Sequence, residues 1–120
     1  MSQALSVDPE GRVAAVKLAF GHPASFREDV RSVIGCESLE AVGLDDGQMC
    51  LWADENAIAA GRRVNVPASR LAEYFGMPTT VYGTAVVTGY DEAGALGLTW
   101  LQAGTVGQLL ESADPEAGLF

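Results

Sequence analysis

Histidine, cysteine and lysine are scarce in this chain, and their scarcity excludes several kinds of site. The 120 residues contain a single histidine, His22, two cysteines, Cys36 and Cys50, and a single lysine, Lys17. This set is too small for a zinc site built from cysteine and histidine, and neither cysteine belongs to a Cys-x-x-Cys pair. We therefore expect two reduced thiols, no metal and no cofactor.

Long apolar runs are also missing. No stretch approaches the roughly 18 apolar residues of a membrane span, and the first residues lack the basic and apolar regions of a secretion signal. Hydrophobic residues still make up 48% of the chain, a share that excludes general disorder. These features predict a cytoplasmic protein with one domain over residues 1–120, ending in a loose tail at residues 113–120.

Basic residues do not occur after Arg70. The chain has 7 basic and 16 acidic side chains, which give a formal net charge of -9. Such a balance repels a phosphate backbone at long range, so direct nucleic-acid binding is disfavoured, and it attracts basic partners. The same balance is typical of a solvated acidic surface.

Apolar patterns and turn signals predict an α+β fold with a largely antiparallel sheet. Asp-Pro and Asp-Gly pairs favour hairpin turns at residues 8–11 and 45–47. Ala4–Val7 is predicted to be the first strand, and the turn at residues 8–11 joins it to the next. We expect four further segments to share one sheet, the first with the nearly continuous apolar pattern of a central strand: Val13–Phe20, Leu39–Leu44, Met49–Ala53 and Val81–Tyr90.

Two to three helices are expected to pack on this sheet. The segment Ser25–Glu28 has the spacing of a capping box, and an apolar stripe predicts a helix at residues 24–34. Pro67 suits the first turn of a second helix, which would bury Tyr74. A short third helix is predicted at residues 105–111.

A basic cluster at residues 61–70 stands out from the acidic background. Guanidinium groups suit phosphate or carboxylate, and a helix N-terminus offers free N–H groups to an anion. The predicted ligand-binding residues are those of the cluster and two residues of equal parity on the following strand: Arg62, Arg63, Asn65, Ser69, Arg70, Tyr82 and Thr84.

Other interpretations of the same residues stay open. The arginines also suit intramolecular ion pairs with Asp54, Glu55 and Glu73, the more common role of such surface arginines. A helix-turn-helix at residues 68–82 is disfavoured, because Pro78 and a β-branched run interrupt its second helix. The chain has no nucleophile elbow, phosphate loop or dinucleotide motif, so we predict no catalytic residue and no enzymatic activity.

Two stretches carry a resemblance to a known family. Residues 65–71 read Asn-Val-Pro-Ala-Ser-Arg-Leu, and residues 81–89 read Val-Tyr-Gly-Thr-Ala-Val-Val-Thr-Gly. They resemble the small uncharacterised family called the domain of unknown function numbered 3846, over roughly residues 13–111. Its members occur in high-GC bacteria, phages and plasmids. The resemblance implies a compact single domain, often from a mobile element, and no particular activity.

These observations lead to three hypotheses about function. The first is a non-enzymatic cytoplasmic binding or regulatory module, from a phage or plasmid, that acts on a protein or a small anionic ligand. The second is an acidic DNA mimic that inhibits a host nucleic-acid enzyme, for which the net charge is the only support. The third is a small enzyme of unknown reaction, which the missing motifs disfavour.

Overall fold

A computed structural model describes residues 3–113 of the chain. The predicted loose tail at residues 113–120 lies outside this range apart from Ala113. Six strands and three helices form within the described residues, which confirms the predicted α+β fold. In chain order they are β1 (Ala4–Val7), β2 (Val13–Val16), α1 (Pro23–Ile34), β3 (Leu39–Leu44), β4 (Met49–Asp54), α2 (Val66–Tyr74), β5 (Ala85–Asp91), β6 (Gly94–Leu96) and α3 (Trp100–Ser112).

The strands form one antiparallel sheet with the order β2-β1-β5-β4-β3. Val87 at the centre of β5 pairs with Leu5 on one side and with Leu51 on the other. β6 pairs with the C-terminal end of β5. It lies on the same side of β5 as β1, because Gly89 of β5 pairs with Met49 of β4 on one side and with Leu96 of β6 on the other. All four predicted strand segments therefore contribute to one sheet, as expected.

Helices cover both faces of the sheet, and this explains why β4 is buried at every position. On one face, α2 and α3 pack Leu71, Val106 and Leu110 against strand residues such as Leu51 and Val87. On the other face, α1 packs against β4 and β5, which confirms the predicted contact between this helix and the sheet. The second core joins Phe26, Val30 and Ile34 to Ala4, Cys50, Trp52 and Val86.

Two strand boundaries differ from the predictions. The segment predicted as a central strand, Val13–Phe20, is an edge strand that ends at Val16. Beyond it, the backbone N–H of Ala19 donates to the carboxylate of Asp29 in α1, so the chain has left the ladder. The strand predicted at Val81–Tyr90 starts only at Ala85.

Helix boundaries also differ, for reasons that lie in the first turns. The predicted capping box at Ser25–Glu28 is wrong, because Pro23 starts α1 earlier, next to the N-cap residue His22. Tyr74 is 65% exposed rather than buried. α3 begins five residues before the predicted start at 105, because Thr99 and Gln102 form a capping box there. None of the three helices within residues 3–113 has the length and apolar character of a membrane span.

Candidate functional site

The predicted ligand-binding cluster lies where α2 meets β1 and the entry to β5. Arg62 points inward there: its Nε donates to the Asp54 carboxylate at 2.7 Å, and its Nη2 donates to the Gly35 carbonyl at 2.6 Å. Asp54 is only 6% exposed, so Arg62 balances a buried carboxylate. The Arg62 side chain crosses closely over Gly83, where a Cβ atom would lie 2.6 Å from its Cδ.

Asn65 and Ser69 are buried and use their polar groups within the protein. The Asn65 amide donates to the carbonyls of Val7 (3.0 Å) and Gly83 (2.8 Å), and its Oδ1 accepts from the Ala68 N–H (3.0 Å). The Ser69 hydroxyl donates to the Asn65 carbonyl and accepts from the Val81 N–H, both at 2.8 Å. These two side chains therefore tie α2 to β1 and to the segment before β5.

The remaining cluster residues are spread over the surface. Arg63 forms an ion pair with Glu10, and Arg70 lies 4.0 Å from the Glu73 carboxylate. The alternative interpretation named Asp54, Glu55 and Glu73 as partners of the arginines. Two of these carboxylates, Asp54 and Glu73, do pair with arginines. Tyr82 is half-buried and lines a groove beside Asp54, whereas Thr84 is half-buried before β5. Ligand binding by the predicted set stays a prediction, now with known internal partners for its arginines.

A second region, which we call the aromatic groove, opens on the face of the sheet that carries α1. The groove has a volume of about 640 Å³. It exists because β3 presents only small residues there: Ala41 pairs with Trp52, and Gly43 pairs with Cys50. Open space surrounds the position that a Gly43 side chain would occupy. The residues that define the groove are Arg27, Ala41, Gly43, Cys50, Trp52 and Tyr90.

Trp52 is held rigidly in the wall of this groove. Its indole N–H donates to the buried Thr88 hydroxyl at 3.0 Å, and its ring meets Phe26 edge-on, with 5.3 Å between the centroids. The Arg27 guanidinium lies over the Trp52 ring, with its Cζ 6.0 Å from the ring centroid. Tyr90 is 42% exposed at the rim. The groove is therefore lined by one aromatic side chain that is held in place, Trp52, and by one that is accessible at the rim, Tyr90.

Carboxylates gather at the end of the groove where two turns meet. Asp46 belongs to the β3–β4 turn, and Asp91 and Glu92 belong to the β5–β6 turn. The N–H of Tyr90 donates to the Gln48 carbonyl at 2.9 Å and so holds the two turns together. Within residues 3–113, no ion pair involves Asp46, Asp91 or Glu92. This end of the groove is acidic and attracts positive charge.

The thiols do not add nucleophilic chemistry to the groove. Burial raises the pKa of Cys50 to about 12, so this thiol on the groove floor stays protonated at neutral pH. Burial and the nearby charge of Asp54 also raise the pKa of Cys36. Both cysteines are free. No group of three or more histidine, cysteine or carboxylate side chains in the described part of the chain is arranged to hold a metal.

A further groove lies on the opposite face of β3. It has a volume of about 530 Å³ and is lined by Glu40 and Val42 of β3 and by residues of the segment after β4. Ile58 is 74% exposed along it. We call it the acidic groove, after the carboxylates of Glu40, Asp54 and Glu55 in its lining.

The sequence analysis missed the aromatic groove because its residues are ordinary one by one. Trp52 and Tyr90 sit in apolar strand patterns, which are typical of core positions. The available signal was the alternation in β3, where Ala41 and Gly43 place small side chains on one face. Opposite a strand that contains tryptophan, such a face leaves an opening.

Comparison with known proteins identifies the family. No curated protein and no solved structure matches the chain. Residues 1–111 match the family described as Domain of unknown function (DUF3846), which confirms the resemblance inferred from residues 65–89. Because the match covers most of its length, the chain belongs to the DUF3846 family.

Proposed function

We propose that this chain is a non-enzymatic cytoplasmic binding module that recognises a segment of a protein partner in the aromatic groove. The observation that carries the proposal is an opening of about 640 Å³ with a rigid aromatic wall. Binding sites are commonly concave and apolar, with a few polar groups that fix orientation. Aromatic residues and arginine are also enriched where proteins bind other proteins.

Charge favours a protein segment over a small anion. Arg27 is the only basic residue in the lining of the groove, against three carboxylates, Asp46, Asp91 and Glu92. The arginines of the predicted anion cluster already face carboxylates of the same chain. A free anion would therefore meet repulsion at the groove and competition at the cluster.

Several features support a binding role rather than turnover. Cys50 stays protonated on the groove floor, because burial raises its pKa to about 12. His22 lies exposed at the N-cap of α1 and does not line the groove. A binding role needs only the shape and charge of the groove. Regulation of the partner, and an origin in a phage or plasmid, are parts of the same proposal.

The test fills the groove and asks whether a partner is lost. The full chain and its Ala41→Trp variant are immobilised, and proteins captured from the source cell are identified by mass spectrometry. Ala14→Trp is the matched control, since Ala14 is an exposed alanine on β2, the opposite edge strand. We expect a partner that binds the unchanged chain and the control and is lost from Ala41→Trp.

Two results would contradict this proposal. Capture that Ala41→Trp leaves unchanged would place the contact elsewhere on the chain. The capture could instead yield a nucleic-acid enzyme that still binds the Ala41→Trp variant and that added DNA displaces. This result would favour the DNA-mimic hypothesis. Circular dichroism of each variant separates a lost contact from a lost fold.

A further inference from the structure

β3 is an edge strand, and no strand within residues 3–113 pairs with its outer side. In an antiparallel ladder, the N–H and C=O groups of alternate residues point toward the neighbouring strand and toward the free edge. The Ser38 carbonyl accepts from the Glu55 N–H at 3.0 Å, so even-numbered residues of this segment face β4. By alternation, the backbone groups of Leu39, Ala41 and Gly43 point to the free edge.

Apart from the charged side chain of Glu40, this edge lacks the devices by which proteins usually protect an edge strand. β3 has six residues, contains neither proline nor lysine, and pairs with β4 one-to-one without a bulge. The opposite edge strand, β2, has only four residues and is followed directly by Lys17. Of the two edges, β3 is therefore the one open to another strand.

A groove lies beside β3 on each face of the sheet. The aromatic groove lies next to Ala41 and Gly43, and the acidic groove lies next to Glu40 and Val42. Successive side chains of a strand point to opposite faces of a sheet. A strand added at the edge would therefore direct alternate side chains toward the two grooves.

The charges beside β3 specify the kind of strand. The acidic groove offers Glu40 and Glu55, neither of which forms an ion pair within the described residues, and no basic residue lines it. The aromatic groove offers the exposed ring of Tyr90 to an apolar side chain, above a lining that includes the buried Trp52. Complementarity thus calls for basic side chains on one face of the added strand and apolar side chains on the other.

We propose that β3 pairs with an extended, basic segment of a partner protein, which thereby adds a seventh strand to the six of this sheet. Backbone hydrogen bonds at Leu39, Ala41 and Gly43 supply affinity, and the two grooves select alternating apolar and basic side chains. This inference rests on the proposed function and specifies the chemistry of the partner and its mode of binding.

The probe is a synthetic heptapeptide of alternating lysine and valine, titrated into the full chain. Trp52 fluorescence reports binding once the other tryptophan, 89% exposed, is replaced by Trp100→Phe. Ala41→Pro removes an outward N–H without breaking the β3–β4 ladder. Ala15→Pro is its matched control, because the Asp8 N–H to Arg12 carbonyl bond places the Ala15 N–H at the free edge of β2.

We expect Ala41→Pro to raise the Kd of the heptapeptide roughly tenfold, the loss of about one backbone hydrogen bond, and Ala15→Pro to leave it within about twofold. Glu40→Gln combined with Glu55→Gln should weaken binding and reduce its dependence on salt. A heptapeptide with glutamate in place of lysine should not bind.

The outcomes separate the two proposals. If Gly43→Val abolishes binding and Ala41→Pro does not, the groove binds the peptide but strand addition is wrong. Strand addition is overturned if neither variant changes the Kd, or if no peptide binds. In that case, the capture experiment with Ala41→Trp still tests whether a partner binds in the aromatic groove. If native mass spectrometry finds a dimer that Ala41→Pro abolishes, the occupant of the edge is a second copy and a foreign basic segment is excluded.

Discussion

Residues 62–70 and the aromatic groove both contain residue types that binding sites use, but their polar groups have opposite surroundings. In the first region, Asn65 and Ser69 are buried with hydrogen bonds to the backbone, and Arg62 is held by Asp54. In the second, Tyr90 is exposed, and the carboxylates at the rim have no ion pair within the described residues. The polar groups of the first region are used within the fold, whereas those of the second are exposed to solvent.

The difference shows why a concentration of charge in the sequence is a weak guide to a site. An arginine beside an acidic segment finds a carboxylate of its own chain at low entropic cost, as Arg62 does with Asp54. A groove needs the reverse, namely small residues opposite large ones, as Ala41 is opposite Trp52. The comparison predicts that changes in the first region act on stability and that changes in the second act on binding.

The largest expected loss follows from Asn65→Ala. It removes the side-chain N-cap of α2 and the amide hydrogen bonds that Asn65 donates to the buried carbonyls of Val7 and Gly83. We expect the free energy of unfolding to fall by about 3 kcal/mol or more, measured by urea denaturation. Asn56→Ala, at an exposed position, is the control and should change it by less than about 0.5 kcal/mol. A small loss at Asn65 would contradict its structural role.

Alkaline pH tests whether the floor of the groove is apolar. The pKa of Cys50 is raised to about 12 in the folded chain, whereas an unfolded thiol titrates near its ordinary value of about 8.5. As the pH rises, the thiol therefore loses its proton in the unfolded state first. The contribution of Cys50 to the free energy of unfolding is fully present below about pH 8.5 and falls by about 1.4 kcal/mol per pH unit toward pH 12.

The measurement is urea denaturation at pH 7, 9 and 10.5. The fall between pH 7 and 10.5 should be about 3 kcal/mol larger for the unchanged chain than for Cys50→Ala, which has no thiol to titrate on the groove floor. Equal slopes for the two chains would mean that water reaches Cys50.

Gly83→Ala tests the close crossing of Arg62. Gly83 has φ +78°, and a Cβ there would lie 2.6 Å from the Arg62 Cδ. We expect a loss of about 2 kcal/mol in urea denaturation, from backbone strain and displacement of Arg62. Gly76→Ala is the matched control, with φ +81° and open space around the Cβ position, and should lose only about 1 kcal/mol. Equal losses would mean that Arg62 moves aside freely.

The smallest effect on stability is expected for Gly43→Val in the aromatic groove. The position has open space, and valine suits a strand better than glycine does. We expect the free energy of unfolding from urea denaturation to stay the same or rise by up to about 0.5 kcal/mol, while the chain loses binding of the heptapeptide. Destabilisation by more than about 2 kcal/mol would show that the groove is part of the packed core.

Local signals predicted much of the fold. The Asp45-Asp46-Gly47 turn joins β3 to β4, and both aspartates have positive φ, as such a turn requires. Gly35 ends α1 in the left-handed conformation. Such features depend on a few consecutive residues, so they can be seen without the fold. The predicted burial of Tyr74 was wrong, because it depends on which face of α2 meets the sheet.

The candidate site was less predictable, because it depends on residues distant in sequence. Asn65 looks like a surface polar residue until the Val7 carbonyl, 58 residues earlier, reaches its amide. Trp52 is a core residue, as its strand pattern indicates, but the small Ala41 opposite it on the neighbouring strand places it in the lining of a groove. Only the register of the sheet brings these pairs together.

By itself, the sequence determined the class of the fold, the β3–β4 hairpin, the main helices and the family, because periodicity and turn chemistry are local. Tertiary structure decided which polar groups form hydrogen bonds and ion pairs inside the chain and which stay exposed. That choice depends on strand order: β5 lies between β1 and β4, and β3 is left at the edge. Burial and hydrogen bonding between distant residues then made Asn65 structural and left Tyr90 exposed.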